Sequence, residues 1–358
     1  MTASNSRKSR WTQMVRTPLL LCVLALIPAL ITLTGDPTLT RIATLTLVSV
    51  IFVIGLWIYS GNSGTMSFGH TAFMAVGAYT TAYLTIPPGL KKVLFPNIPD
   101  SLGFLVDIEA NFWVAMLASS ATAAVLGAIT SPAIARLSGL QSGIATLALL
   151  MVAYTVINNW TDVTRGSSSV IGIIPGTTTW SAYAFACLVI VIAWFYKQSR
   201  SGLQLRASRE DYWATRASGV DVGRHRAIAW ILSSAVCGLA GGLYASFLTT
   251  FNVNAFFLTA TFGFIVMAVI GGYLSLSGAV IGALLVSVLQ DVLRRFQDGQ
   301  FIGDGLPAGS ADLVMAAVLL LVLIKAPLGI MGSAELGAGR PFSWRRGRAS
   351  SMSNVGNE

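Results

Sequence analysis

The sequence predicts an all-α membrane protein: a polytopic helical bundle of about ten transmembrane helices, with both termini in the cytoplasm. Of its 358 residues, 54% are hydrophobic and only 10% are charged, which is less than half the charged fraction of soluble domains. The mean hydropathy is +0.71. Apolar runs of roughly 20 residues, the length that crosses a bilayer as a helix, also recur along the chain.

Ten such runs follow one another. They are continuously apolar, whereas the strands of a membrane β-barrel alternate apolar and polar residues over about ten positions. The predicted spans are 17–34, 41–60, 67–85, 112–135, 140–159, 178–196, 227–249, 257–273, 275–294 and 311–328.

The first run follows a basic start and therefore also fits a secretory signal peptide. The segment after it, TGDPTLTR, has no convincing small-x-small cleavage motif, so we favour an uncleaved membrane anchor. The three cysteines, Cys22, Cys187 and Cys237, fall inside predicted spans, where we expect them to pack as small apolar residues.

Lysine and arginine are unevenly divided between the two sides of this topology. Seventeen of the 23 fall on the side of the N-terminus and six on the other side. Because cytoplasmic loops are enriched in these residues, the bias places the N-terminus in the cytoplasm. Topology and lipid headgroups then explain the net charge of +9, and nucleic-acid binding is not needed to explain it.

These features divide the chain into five parts. A polar, basic loop separates two membrane parts of about six and about four helices, and a basic cytoplasmic tail precedes and follows them. The tails are 1–16 and 329–358, the membrane parts are 17–196 and 227–328, and the cytoplasmic loop is 197–226.

Sequence signatures of catalysis are missing. No Gly-Lys dipeptide occurs, so there is no P-loop, and neither HExxH nor GxSxG is present. The two histidines, His70 and His225, are too few for a histidine-built metal centre. Acidic residues lie mostly in loops, whereas ion-coupled transporters usually keep one within the membrane. We therefore expect no catalytic residue, no cofactor and no metal, and we expect a partner to supply any energy for transport.

Small and hydroxyl residues crowd the segment SGNSGTMSFGHTAFMAVGAY at 60–79. Glycines permit close helix packing or a re-entrant helix, whose free backbone groups are tolerated only where they line a cavity. The alternatives are an interior helix that touches no solute and, for the histidine, a single structural hydrogen bond. The span 140–159 adds two polar residues to those of this segment. The candidates for a translocation path are therefore Ser67, Gly69, His70, Thr146 and Asn158.

The chain also contains a faint internal repeat. MAVIGGY at 267–273 echoes MAVGAY at 74–79, and TFG at 261–263 echoes SFG at 67–69. Such repeats are frequent in the halves of transporters.

The cytoplasmic loop interleaves apolar and charged side chains at 203–219, LQLRASREDYWATRASG. We expect a short helix there that docks into a groove on a soluble domain. The alternative is an interfacial helix on lipid headgroups, which Glu210 and Asp211 disfavour because they would face anionic lipid. The candidate docking residues are Leu203, Leu205, Arg206, Arg209, Glu210, Asp211, Trp213, Arg216 and Gly219.

Together these stretches resemble the permease subunits of branched-chain amino acid ABC transporters, of the LivM type. The matching stretches include SGNSGTMSFGHTAFMAVGAY, LSGLQSGIATLAL, TRGSSSVIGIIP and SRSGLQLRASREDYWATRASG, and the resemblance runs from about Val48 to Leu293. The chain departs from the family pattern at Thr65-Met66, where the family often has Gln-Leu, and at Arg165, which stands in a glycine-rich loop.

The resemblance implies a cell-membrane subunit that pairs with a second permease subunit. Two cytoplasmic ABC ATPases and an extracytoplasmic solute-binding protein would complete an importer, with 203–219 as the coupling helix. The implied small polar solute is a branched-chain or other hydrophobic amino acid, with urea or a short amide as the alternative. The other classes are an ATPase-independent facilitator or channel, which would not need the coupling helix, and a membrane enzyme, for which no catalytic constellation exists.

Overall fold

The fold comes from a computed structural model. For residues 2–15 it describes the backbone alone, and the arginines of the predicted C-terminal tail from Arg340 onward lie outside the described residues. The described ranges are 2–96, 98–99, 103–299, 307, 309–326, 328–332 and 334–336.

Within these ranges helices and connecting loops make up the protein, and the one β-type pairing is an isolated bridge between Val170 and Phe251. The longer helices are α1 (Thr2–Ile31), α2 (Pro37–Ser63), α3 (His70–Thr85), α6 (Phe112–Ala135), α7 (Gly139–Asn159), α9 (Thr179–Gln198), α12 (Val222–Leu248), α13 (Leu258–Gly271), α14 (Leu276–Gln297) and α15 (Ser310–Lys325). The shorter helices are α4 (Pro88–Leu94), α5 (Phe104–Asp107), α8 (Thr161–Thr164), α10 (Arg200–Glu210) and α11 (Tyr212–Ala217).

Each of the ten predicted spans coincides with one of the longer helices. Among the described residues, eight helical segments are long and apolar enough to cross a membrane, and α13 is one of them when it is counted with the short 3-10 helix Val253–Phe256 before it. The remaining two, α3 and α15, have 16 residues each, or about 24 Å at 1.5 Å per residue. The prediction of an all-α, polytopic membrane bundle is confirmed, while the number of spans and the side of the termini stay predictions.

Side-chain caps set several helix boundaries. Asp36 caps α2 through the Thr38 N–H at 2.8 Å, and Asp221 caps α12 through the Arg224 N–H at 3.1 Å. Because of the second cap, α12 begins five residues before the predicted span at 227. The last part of the predicted cytoplasmic loop is therefore the first turn of a membrane helix.

Helix α12 lies at the centre of the bundle, where it packs against α2, α3 and α6. A Cβ at Gly77 would lie 2.0 Å from the carbonyl oxygen of Gly238, and one at Gly241 would lie 1.9 Å from that of Met74. A side chain does not fit at these distances, so α3 and α12 approach as closely as they do because glycine occupies both helices.

Polar contacts close the two ends of the bundle. We name the end that carries α10 and α11 the inner end, and there Arg226 donates a hydrogen bond to the Leu137 carbonyl at 2.6 Å. The opposite, outer end carries α4 and α5. The buried ammonium of Lys91 donates there to the carbonyls of Leu105, at 3.2 Å, and Ile108. Burial lowers the pKa of Lys91.

Candidate functional site

The predicted docking helix is broken at Asp211 into α10 and α11. Asp211 has an extended backbone, with φ −147° and ψ 109°, and its carboxylate accepts a hydrogen bond from the Ala214 N–H at 2.9 Å. The residue therefore ends α10 and caps α11, because its side chain satisfies an N–H that has no acceptor within the new helix. Helix is present as predicted, but as two short helices.

Six of the nine candidate docking residues are exposed on this helix pair and the turn after it. Trp213 is 76% exposed, the side chain of Glu210 is 74% exposed and Leu203 is 50% exposed. An exposed tryptophan beside charged groups is typical of the residues that dominate protein–protein binding. The other exposed members are Asp211, Arg216 and Gly219.

The remaining three residues turn into the bundle. Leu205 is fully buried. Arg206 Nη2 donates to the Lys197 carbonyl at 2.9 Å, and Arg209 Nη1 donates to the Gly61 carbonyl at 2.8 Å. These side chains fix α10 to the ends of α9 and α2, and they leave the outward face to the six exposed residues.

The contact of Arg209 also connects α10 to the loop at 64–69. Gly64 ends α2 in the left-handed region, at φ +72°, and a Cβ there would lie 2.4 Å from Cγ of Arg209. The loop then leads directly to His70 at the start of α3. Arg209 therefore links α10 to the end of α2 and to the loop that leads into α3.

Four of the five path candidates meet at this loop. Thr146 of α7 accepts a hydrogen bond from the Phe68 N–H at 3.1 Å, and a Cβ at Gly69 would lie 2.7 Å from the Thr146 carbonyl oxygen. Ser67 and His70 flank this contact, with 2.8 Å between Ser67 Oγ and His70 Nδ1. Small and hydroxyl side chains thus allow an irregular segment to lie close against a helix.

His70 is buried within a block of aromatic rings. The ring centroids of Tyr59, Phe73 and Trp230 lie 5.8, 6.1 and 4.8 Å from that of the imidazole. Among the residues that the structure describes, its Nε2 atom has no hydrogen-bond partner. One nitrogen therefore contacts the loop through Ser67, and the other is buried among the aromatic rings.

Asn158 lies elsewhere. It is twelve residues after Thr146 on α7, which is about 18 Å along a helix axis. Its carbonyl lies near the outer end, where a Cβ at Gly166 would come within 2.8 Å of it. The five candidates therefore do not form one site.

The faint internal repeat has a structural counterpart. Helices α2 and α12 both contain 27 residues, and each is followed by a shorter helix, of 16 residues in α3 and 14 in α13. The first turns of the two short helices meet. The hydroxyl oxygens of Thr71 and Thr261 lie 2.6 Å apart, and the ring centroids of Phe68 and Phe262 lie 6.1 Å apart.

From this meeting point the two short helices run to opposite ends of the bundle. The Leu84 carbonyl accepts a hydrogen bond from the Ala110 N–H at the outer end, and the Gly271 carbonyl accepts one from the Met331 N–H at the inner end. Within the described part of the chain, no side chain caps either first turn. Half-helices whose free N–H groups point into a bundle are a common way for transporters to build a polar path within the membrane.

Replacing Thr146 by valine is expected to destabilise the protein by about 1–3 kcal/mol, because the Phe68 N–H loses its acceptor while the packing is kept. The measurement is the midpoint of thermal unfolding in mild detergent. Thr146→Ser, which retains the hydroxyl, is the matched control and should stay near the wild type. Equal midpoints for the two variants would contradict the assignment of this hydrogen bond.

A cavity at the outer end was not anticipated from the sequence. It has a volume of about 630 Å³, which is within the range of small-molecule sites. Its residues come from four separate segments, so no local pattern could have indicated it. The lining consists of Thr85, Glu109, Ala110, Asn111, Phe112, Ile174, Pro175, Gly176 and Ser246.

Sequence reasoning also missed the partners of His70. Tyr59 and Trp230 are single aromatic residues in apolar helices, where nothing local distinguishes them from ordinary core residues. Within the described ranges, no group of three or more His, Cys, Asp or Glu side chains is placed to hold a metal ion.

The long apolar helices and the exposed helix pair at one end of the bundle describe a polytopic membrane protein. The sequence model of the family described as "Branched-chain amino acid transport system / permease component" matches residues 38–323. The chain belongs to this family, and the resemblance seen in its motifs is confirmed.

Individual relatives agree. The high-affinity branched-chain amino acid transport system permease protein LivM of Escherichia coli is 24% identical over 325 residues, which cover 81% of this chain and 69% of that protein. LivH of Salmonella typhimurium is 29% identical over 157 residues, 44% of this chain and 47% of that protein. BraD of Pseudomonas aeruginosa is 28% identical over 172 residues, which cover 48% of this chain and 53% of that protein. The chain is a multi-pass protein of the cell membrane.

Proposed function

We propose that this chain is the transmembrane permease subunit of an ATP-driven ABC importer for branched-chain or other hydrophobic amino acids. It forms the translocation path together with a second permease subunit. Two cytoplasmic ATPases supply the energy, and an extracytoplasmic solute-binding protein delivers the solute. The observation that carries the proposal is the helix pair α10–α11, whose outward face is exposed while its inward face is bonded to the helices around the candidate path.

In this proposal the ATPase binds the outward face of the helix pair. Trp213 is the apolar anchor, and Leu203 and Glu210 contribute beside it. The inward residues Arg206 and Arg209 transmit the movement of the pair to α9 and α2. A facilitator would have no use for such a face, because nothing would have to bind there.

The translocation path passes the loop at 64–69 and the meeting point of α3 and α13. Ser67, Gly69, His70 and Thr146 lie at that loop. Asn158 contributes at the outer end of α7 instead. Two features support this placement: the buried Nε2 of His70, which has no hydrogen-bond partner among the described residues, and the first turns of the two half-helices, which no described side chain caps.

The solute-binding protein docks at the outer end. The departure at Arg165 is compatible with this, because the residue has a left-handed backbone, at φ +63°, and its Nη1 donates to the Ser169 carbonyl at 2.6 Å. The guanidinium is thus turned back onto its own loop. The names of the relatives favour a branched-chain amino acid as the solute, and urea or a short amide is the alternative that an uptake assay distinguishes.

The proposal is tested by purifying the tagged chain from mild detergent together with its bound partners. We expect the wild type to recover an ATPase with a P-loop, and we expect Glu210→Arg/Trp213→Ala to lose it, because the charge is reversed and the anchor is removed at the exposed face. The matched control is Asp162→Arg/Trp160→Ala, which makes the same changes at two exposed residues of the outer end.

Loss of the ATPase in the first variant alone supports the proposal. Equal recovery of the ATPase by all three proteins would show that the ATPase does not bind at α10–α11. A wild-type chain that recovers no ATPase and equilibrates solute by itself in liposomes would replace the importer by a facilitator.

A further inference from the structure

One buried carboxylate near the end of the described chain has no role in the proposed function. The side chain of Glu335 is 9% exposed and forms an ion pair with Lys197, which is 10% exposed. The same carboxylate accepts hydrogen bonds from the N–H groups of Leu276 and Ser277, at 2.9 and 3.0 Å, and from the Ser277 hydroxyl at 2.6 Å. It therefore joins the last turn of α9 to the first turn of α14.

The negative charge of Glu335 interacts favourably with both Lys197 and the first turn of α14. A carboxylate at the start of a helix satisfies N–H groups that have no acceptor within the helix, and it interacts favourably with the helix dipole. The Lys197 ammonium also lies 5.4 Å from the ring centroid of Trp194 and 5.9 Å from that of Trp57. Because Lys197 and Glu335 are both nearly removed from solvent, the loss of one leaves the other without its compensating charge.

Lys197 is also a residue that holds α10. Its carbonyl accepts the hydrogen bond from Arg206, while its ammonium pairs with Glu335. Helix α14, on the other side of Glu335, packs closely on α13, where a Cβ at Gly271 would lie 1.9 Å from the Gly278 carbonyl oxygen. A continuous set of contacts thus runs from α10 through Lys197, Glu335 and α14 to α13, whose first turn meets α3.

The segment around Glu335 is held by further contacts. The Leu336 carbonyl accepts a hydrogen bond from the Thr17 hydroxyl at 2.7 Å, and the Leu336 N–H donates to Ser277 Oγ at 3.0 Å. Residues 334–336 lie beyond the range 38–323 that matches the family. The family match therefore assigns them no role.

We propose that Glu335 is a positioning residue for ATP-coupled transport. It holds α9, and through Lys197 also α10, in a set position against α14, so that a movement of α10–α11 is transmitted to α13 and α3. When Glu335 loses its charge, α10 moves without α14. ATP is then hydrolysed without a matching amount of transport. The inference rests on the proposed function.

The experiment uses the complete importer in proteoliposomes and measures the ATP hydrolysed per solute transported, here leucine. Glu335→Gln keeps the size of the side chain and an acceptor for α14 but removes the charge. We expect this ratio to rise about fivefold, the lower end of the coupling found between linked sites. The double variant Glu335→Gln/Lys197→Met is expected to lie closer to the wild type, because no charge is left unpaired.

The matched control is Asp107→Asn, which removes an exposed carboxylate paired with Lys92 at 3.6 Å and should leave the ratio unchanged. A wild-type ratio in an active E335Q complex overturns the inference. An equal proportional loss of hydrolysis and transport also overturns it, since this would show a merely structural contact.

If E335Q does not assemble, Glu335→Asp replaces it. Aspartate keeps the charge but is one methylene too short to reach both helices, so the ratio should again rise, and a wild-type ratio overturns the inference. A wild-type chain that recovers no ATPase in the purification removes the proposed function and the inference together. An active wild-type complex with an unchanged variant removes the inference alone.

Discussion

Replacing Trp230 by alanine is expected to lower the free energy of unfolding by about 3 kcal/mol. This is the lower end of the range for a truncated core tryptophan, because burial inside a membrane bundle gains packing but little hydrophobic transfer energy. Trp230 is fully buried, with its ring centroid 4.9 Å from that of Tyr59 and 5.3 Å from that of Phe73. Its Nε1 donates to Thr130 Oγ1 at 3.0 Å. The change opens a cavity beside His70 and removes that hydrogen bond.

The measurement is the midpoint of thermal unfolding in mild detergent, with solute uptake as the second readout. Uptake should fall as well, because the loop at 64–69 loses the ring block that supports His70. Trp113→Ala is the matched control, since Trp113 is 57% exposed on α6, and a change there should stay within about 0.5 kcal/mol. Similar losses in the two variants would contradict the special role of the ring block.

Replacing Gly77 by alanine is expected to destabilise the protein by about 1–3 kcal/mol, the usual effect of an added methyl in a full core. The new methyl would lie 2.0 Å from the Gly238 carbonyl oxygen, which belongs to a helix backbone and has little freedom to yield. Helix α3 must therefore move away from α12. Uptake should be lost with stability, because the start of α3 carries His70.

The control for this variant is Gly89→Ala in α4, where a Cβ meets nothing within 4 Å. Alanine is the better helix former by about 0.5–1 kcal/mol, so this change should be neutral or slightly stabilising. The measurement is the midpoint of thermal unfolding of the two variants under one set of conditions. A Gly77→Ala protein that unfolds like Gly89→Ala would show that the α3–α12 contact is looser than described.

The two variants and the Glu335 experiment address different parts of one arrangement. Trp230 and Gly77 support the start and the middle of α3. The docking pair α10–α11 reaches the start of α3 through Arg209 and the loop at 64–69. Glu335 connects the same pair to α14 and so to α13. Both half-helices are thus linked to the face proposed to bind the ATPase.

Much of the fold could be predicted from the sequence, because the length of an apolar run has a direct physical meaning in a bilayer. All ten predicted segments are helices, and their bounds differ by at most five residues from those of the structure, except that α1 begins at Thr2 and the predicted span at 17. The next largest difference, at the start of α12, arises because Asp221 caps the helix five residues before the predicted span. The polar loop, the small-residue segment and the family were also evident from local patterns.

The candidate site could be predicted only in part. The sequence indicated that Ser67, Gly69, His70 and Thr146 belong together, since small and hydroxyl residues are unusual on lipid-facing helices. It also placed Thr146 and Asn158 near opposite ends of the predicted span 140–159, but it could not show that Thr146 contacts the loop at 64–69. Nor could it divide the docking residues into an exposed set and an inward set, because Leu203 and Leu205 look equally apolar when their surroundings are unknown.

By itself, then, the sequence indicated the class of protein and its long apolar helices, and it predicted the segments that are proposed to carry its function. Only the tertiary structure decided which side chains meet. Lys197 and Glu335 are 138 residues apart in the chain and Thr71 and Thr261 are 190 apart. The physical reason is that membrane insertion depends on local hydrophobicity, whereas a buried ion pair or hydrogen bond depends on the packing of distant helices, which no local pattern records.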